Sequence, residues 1–160
     1  MTTAVTSRGP GIAIPPPLFY LAGLALGWAL DTQLPFMIDD DGPGRVQIAL
    51  AATLLAIGGG LMYWGIGTMA HAHTAIMPNQ RARALVTSGP YRFTRNPMYL
   101  GLAIAYVGGA LLTNTAWPLV LLPAVLVIVR AFVIAREERY LRAEFGPEYD
   151  RFCGRVRRWL

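Results

Sequence analysis

Two short polar stretches next to apolar runs carry the residues best suited to chemistry. The first is Thr87-Ser88-Gly89-Pro90-Tyr91-Arg92-Phe93-Thr94-Arg95-Asn96-Pro97-Met98-Tyr99-Leu100-Gly101. The second is Arg136-Glu137-Glu138-Arg139-Tyr140. Two apolar runs, 98–112 and 116–134, separate them, with Thr113-Asn114-Thr115 as a tight turn. A helical hairpin over those runs brings its open ends together, so Arg95 and Asn96 face Glu137 and Glu138. Two readings are open. The charges form an ion pair that closes the hairpin, or they line a pocket for a zwitterion. In the second case carboxylates take an ammonium group or ribose hydroxyls, and arginine takes a carboxylate. Tyr91, Phe93 or Tyr99 then pack on a purine or a sulfonium. Polar groups at the edge of a bilayer are costly and tend to be functional.

Apolar elements must position these segments, and the composition provides them. Hydrophobic residues make up 54% of the 160 residues and charged residues 14%, against about 25% charged in an ordinary soluble domain. Mean hydropathy is +0.42. Four apolar runs read as membrane helices: 12–30, 46–69, 98–112 and 116–134. Pro15, Pro16 and Pro17 stand at the start of the first, where a helix tolerates proline. They also interrupt any signal-peptide core. At 1.5 Å per residue the third run is short for a full span. From Ala135 the last helix continues as a charged segment, which Gly146 and Pro147 break. The tail Arg155-Val156-Arg157-Arg158-Trp159-Leu160 is basic with an aromatic anchor and suits a membrane surface. The expected fold is an all-α membrane protein, a bundle of about four transmembrane helices. Its last two form a hairpin, and a cytoplasmic helical segment follows. Residues 1–11 read as a flexible tail, and 12–160 as one membrane-embedded domain.

The net charge is +5, and all 14 basic residues are arginines. They concentrate in the 70–97 connection and beyond residue 129, whereas 31–45 holds four aspartates and one arginine. The positive-inside rule puts both termini and both polar clusters in the cytoplasm, here of a bacterial inner membrane. Beside four apolar runs, this charge fits anionic lipid headgroups better than nucleic acid. No obligate protein partner is evident. Gly23 and Gly27, Gly58 to Gly60, and Gly108 and Gly109 read as close helix packing. His71 and His73 are two apart, off a common helix face, and Asp39 to Asp41 lack calcium-loop spacing. The lone Cys153 gives neither an intrachain disulfide nor a metal site. No metal is expected.

The string GPYRFTRNPMYLG, two apolar runs, Glu137-Glu138 and then FGPEYDRF resembles the isoprenylcysteine carboxyl methyltransferase family. Phospholipid methyltransferases share the same C-terminal plan. The resemblance covers Thr74 to Trp159, with Thr74, Pro78 and Thr87 ahead of the string. It implies a membrane helix bundle that binds S-adenosylmethionine at its cytoplasmic face and releases S-adenosylhomocysteine. Carried over, Thr87, Gly89, Pro90, Tyr91, Arg92, Asn96, Pro97, Tyr99, Leu100, Gly101, Glu137 and Glu138 bind the cofactor. Arg95 orients an anionic group. Glu138 binds the cofactor or accepts a proton. The carboxyl methyltransferases commonly have His at the position of Asn96, which weakens the case for a prenylated cysteine acceptor. The implied activity is methyl transfer to a lipophilic acceptor. An isoprenylcysteine-like carboxylate or small lipophilic acid stands first, a phospholipid amine or a thiol second. A non-catalytic membrane scaffold is the reading from outside the enzymes.

Overall fold

The computed structural model describes residues 10–12, 14–76 and 80–159. Most of the expected tail, together with Pro78 and Leu160, lies outside the described residues. The fold is all-α, with helices α1 (Pro17–Gln33), α2 (Arg45–His71), α3 (Pro97–Leu112), α4 (Trp117–Val129), α5 (Ala135–Phe145) and α6 (Pro147–Arg155). A 3-10 turn covers Gly89–Arg92, and a π turn joins α4 to α5. Among the described residues, Met37 and Thr115 form an isolated bridge and no strand occurs. α2 and the continuous helix Trp117–Phe145 are long and apolar enough to cross a bilayer, and α3 is a shorter apolar helix.

The first helix begins later than the apolar run does. Pro15 and Pro16 have no N–H to give and instead accept, through their carbonyls, the N–H groups of Leu18 and Phe19. Regular helix therefore starts at Pro17, the first position where proline costs nothing, and it continues past Leu30 to Gln33. Ile12 stays outside the helix but still packs into the core.

Glycines decide which helices pair. α3 packs mainly on α2, and α4 on α1, so the expected hairpin partners are each bound more closely to another helix. A Cβ on Gly58 would lie 2.5 Å from the Gly101 carbonyl, and one on Gly108 2.9 Å from that of Ala51. Here α2 and α3 touch backbone to backbone. Gly23 and Gly27 similarly admit Val125 and Pro118 of the α4 helix. Such approaches maximise dispersion between helices where lipid removes any hydrophobic drive. Tyr20, Tyr99, Tyr106, Val125, Val129, Val133 and Ile134 fill the space between the two pairs.

The π turn at Arg130–Ile134 sets the direction in which α5 presents its side chains. Val125, Val129 and Val133 are buried at a spacing of four. In an α-helix each such step drifts about 40° around the axis, because a turn holds only 3.6 residues. A wider turn takes up that drift. Glu137, four residues further, thus stays on the inner side of the helix, and Tyr99 of α3 reaches it.

Candidate active site

The 3-10 turn, the start of α3, the start of α5, and α6 with its tail meet at one end of the bundle. Gly89 opens the turn at φ +57°, a conformation that favours glycine, and a Cβ there would lie 2.6 Å from Thr68 Oγ1. The turn buries Pro90 and Tyr91. Asn96 and Pro97 start α3, with Pro97 at the first helical position. Asn96 makes no side-chain cap. Its amide instead donates to the Arg158 carbonyl at 2.9 Å.

The charges form two unlike groups. Glu138 accepts a fork from Arg158, Nε to Oε1 at 2.8 Å and NH2 to Oε2 at 2.7 Å. Arg95 NH1 lies 3.3 Å from the same Oε1 and donates to Cys153 Sγ at 2.7 Å. The side chains of Arg95 and Glu138 are only 14% and 13% exposed. Glu137 differs. It accepts one hydrogen bond, from Tyr99 Oη at 2.6 Å, and among the described residues no cation pairs with it. It lies beyond the apolar run, which ends at Ile134. Burial, and then the neighbouring charge of Glu138, push its carboxyl up to about 7 against the pull of the Tyr99 hydrogen bond. Burial and the Glu137 charge also raise the Tyr91 phenol.

These groups border a cleft of about 880 Å³, counted with its open mouth. Tyr91, Arg95, Asn96, Pro97, Tyr99, Glu137 and Glu138 of the expected set line it. Thr87, Gly89, Pro90, Arg92, Leu100 and Gly101 do not. Thr87 and Arg92 are exposed, Gly89 and Pro90 shape the turn, and Gly101 belongs to the α2 contact. The cleft also takes in Tyr140, Tyr149 and Phe152, along with Pro10 from the end of the expected tail. The 80–86 strap covers one side. Tyr140 Oη and Thr74 Oγ1 accept its backbone N–H groups, and Arg81 bonds Glu144.

Among the described residues, two buried polar atoms, Tyr91 Oη and Arg95 Nε, have no hydrogen-bond partner. Both residues line the cleft. Leaving such a group unpaired costs on the order of 1–3 kcal/mol. Among the described residues, two donors and one carboxylate of cleft-lining residues thus keep unused bonding capacity.

Arg158 is the residue that the sequence alone placed elsewhere. Its tail read as a membrane anchor, yet the Arg158 side chain turns inward to Glu138, and Trp159 packs on the core cluster. The cause is local. Arg95 N–H donates to the Arg157 carbonyl, and Thr94 Oγ1 and Asn96 both donate to the Arg158 carbonyl, which folds the tail back. Arg155 and Arg157 remain exposed.

The family described as phospholipid methyltransferase matches residues 46–148, more than half of the chain. The chain belongs to the phospholipid methyltransferase family. That match takes in every cleft residue on the turn, α3 and α5, and ends just before Tyr149. An uncharacterized protein from Haemophilus influenzae is 43% identical over 65 residues, 39% of this chain and 100% of that protein. No solved structure matches. Family membership and two helices able to cross a bilayer make this a membrane protein of a methyltransferase family.

Proposed function

We propose that the protein is a multi-pass membrane enzyme that uses S-adenosylmethionine to methylate a lipophilic acceptor. The observation that carries this reading is the cleft itself. Among the described residues, Tyr91 Oη and Arg95 Nε are spare donors, and Glu137 is a carboxylate without a cation. A ligand with an α-carboxylate and an ammonium group matches that set. In this reading Arg95 Nε holds the carboxylate, and Glu137 takes the ammonium or the ribose hydroxyls. Tyr91 and Tyr99 shape the wall beside them. Glu138 anchors Arg95 and Arg158, and so acts on the ligand through them. When bound, the cofactor supplies a methyl group already activated on a sulfonium. The protein's own part is then mostly positioning and exclusion of water. Met69, Leu85, Val86 and Met98 provide the apolar lining.

The acceptor reaches the site from the bilayer between helices. A lipophilic carboxylate arrives ionised and needs no base. An amine or thiol releases a proton, and Glu137 is placed to take it where the cofactor's ribose hydroxyls, and not its ammonium, lie beside that carboxylate. That observation and the family's description favour the phospholipid amine as a second reading. For topology, we read four crossings with both termini and the cleft in the cytoplasm of a bacterial inner membrane. The arginine distribution supports this. α1 and α3, with 17 and 16 residues, are shorter than the roughly 20 residues of a full span.

The test is S-adenosylhomocysteine binding to detergent-purified protein, followed by transfer of a labelled methyl group into organic-extractable products of the host membrane. Saturable binding, and label in the lipid fraction, are the expected results. Folded protein that binds no S-adenosylhomocysteine would leave the scaffold reading in place.

A further inference from the structure

Residues 157 and 158 are bonded to 94–96 through the Arg157 and Arg158 carbonyls. From that seat Arg158 covers both oxygens of Glu138 with a two-point fork. Arg95 meets the same carboxylate through NH1 alone, at 3.3 Å, and among the described residues its Nε has no partner. A carboxylate accepts one such fork along its edge, and a guanidinium seeks one. Two arginines therefore compete for Glu138, and Arg158 holds it.

We infer that Arg158 is a positioning residue for the ligand's carboxylate. By saturating Glu138, it leaves the Nε edge of Arg95 free to face the cleft. This rests on the reading that the cleft takes S-adenosylmethionine with its carboxylate on Arg95. Without Arg158, Glu138 draws the whole fork of Arg95. The site then loses its anion-binding nitrogen, although every group that touches the ligand is still present. The tail is thus a component of the site, contributed from beyond the segment that matches the family.

The experiment compares two ligands on the full-length protein in detergent. S-adenosylhomocysteine carries the amino-acid end, and 5′-methylthioadenosine lacks it. Binding is measured by calorimetry for the wild type, Arg158→Met and Arg158→Lys. Arg158→Met is expected to weaken S-adenosylhomocysteine about 10- to 100-fold, the worth of one charged hydrogen bond. It should leave methylthioadenosine within about twofold of the wild type, and Arg158→Lys should restore part of the loss. A general loosening of the site would weaken both ligands alike, and that result overturns the inference. Wild-type affinity of Arg158→Met for S-adenosylhomocysteine also overturns it. If neither variant keeps a cooperative thermal transition, Arg158 is a folding residue and the inference fails. A wild type that binds neither nucleoside sinks the cofactor reading first, and the inference with it.

Discussion

A polar cluster closes each end of the helix bundle, and the two clusters differ in what they leave unpaired. At the α3–α4 turn, Asn114 donates to the Asp39 carbonyl at 2.7 Å. Its Oδ1 accepts from Asp39 N–H and from Gln47. Thr115 donates to Asp31 at 2.9 Å, and Asp31 also accepts the Phe36 N–H. Each of these side chains has a partner. At the cleft, among the described residues, Tyr91 Oη and Arg95 Nε have none, and Glu137 has only a phenol. Buried polar groups in native proteins are nearly always satisfied. A saturated network holds a fold together, and an unsaturated one leaves bonding capacity for a ligand. The two ends should therefore fail differently when cut.

The largest effect is expected at the saturated end. Asn114→Ala removes three hydrogen bonds and puts a Cβ-bearing residue without a polar side chain at φ +55°. The loss is about 2–4 kcal/mol of stability, read from the denaturant midpoint in detergent, with turnover per folded molecule unchanged. Arg95→Ala should do the reverse. Glu138 keeps its Arg158 fork, so the midpoint moves little, while kcat/KM for methyl transfer falls about 10- to 100-fold. If Arg95→Ala unfolds the protein and leaves the activity of the surviving fraction intact, the cleft charges are structural and the contrast disappears.

Much of this contrast could be read from the sequence, and the unread parts share one cause. The apolar runs marked α2 to α4 within a few residues, because hydropathy depends on composition alone. Arg95 opposite Glu138 followed from hairpin geometry, since residues at the two open ends of a helix pair must be neighbours. The division of labour between Glu137 and Glu138 did not follow. They are adjacent in sequence, and only the π turn and the returning tail separate their surroundings. Arg158 was missed because its partner lies 20 residues away in the chain, and a basic terminus next to Trp159 looks like a lipid anchor. The sequence held one signal for it: Thr94-Arg95-Asn96, a polar triplet with more donors than its own helix start can use. Gly101 was grouped with the cofactor residues by resemblance, but its backbone contact with Gly58 gives it a packing role as well.

Glu137 should also set how the cleft end responds to pH. Glu137 is raised from its ordinary 4.5 to about 7, so between those values the folded protein holds a proton that the unfolded chain has lost. Stability from this group is fully present below about 4.5, falls as pH rises toward 7, and is flat above it. One proton limits the slope to about 1.4 kcal/mol per pH unit. Glu137→Gln should abolish that slope in the ligand-free protein, measured as unfolding midpoints from pH 5 to 8. The groups facing Glu137 are Tyr99 from α3, Tyr91 from the 3-10 turn and Glu138 from its own helix, and neither phenol titrates in that range. Bound ligand should reverse the trend. An ammonium beside Glu137 favours the ionised carboxylate, so S-adenosylhomocysteine affinity should rise through the window in which the empty protein weakens. If Glu137→Gln keeps the wild-type pH dependence of both binding and stability, then Glu137 is not the carboxylate that meets the ligand.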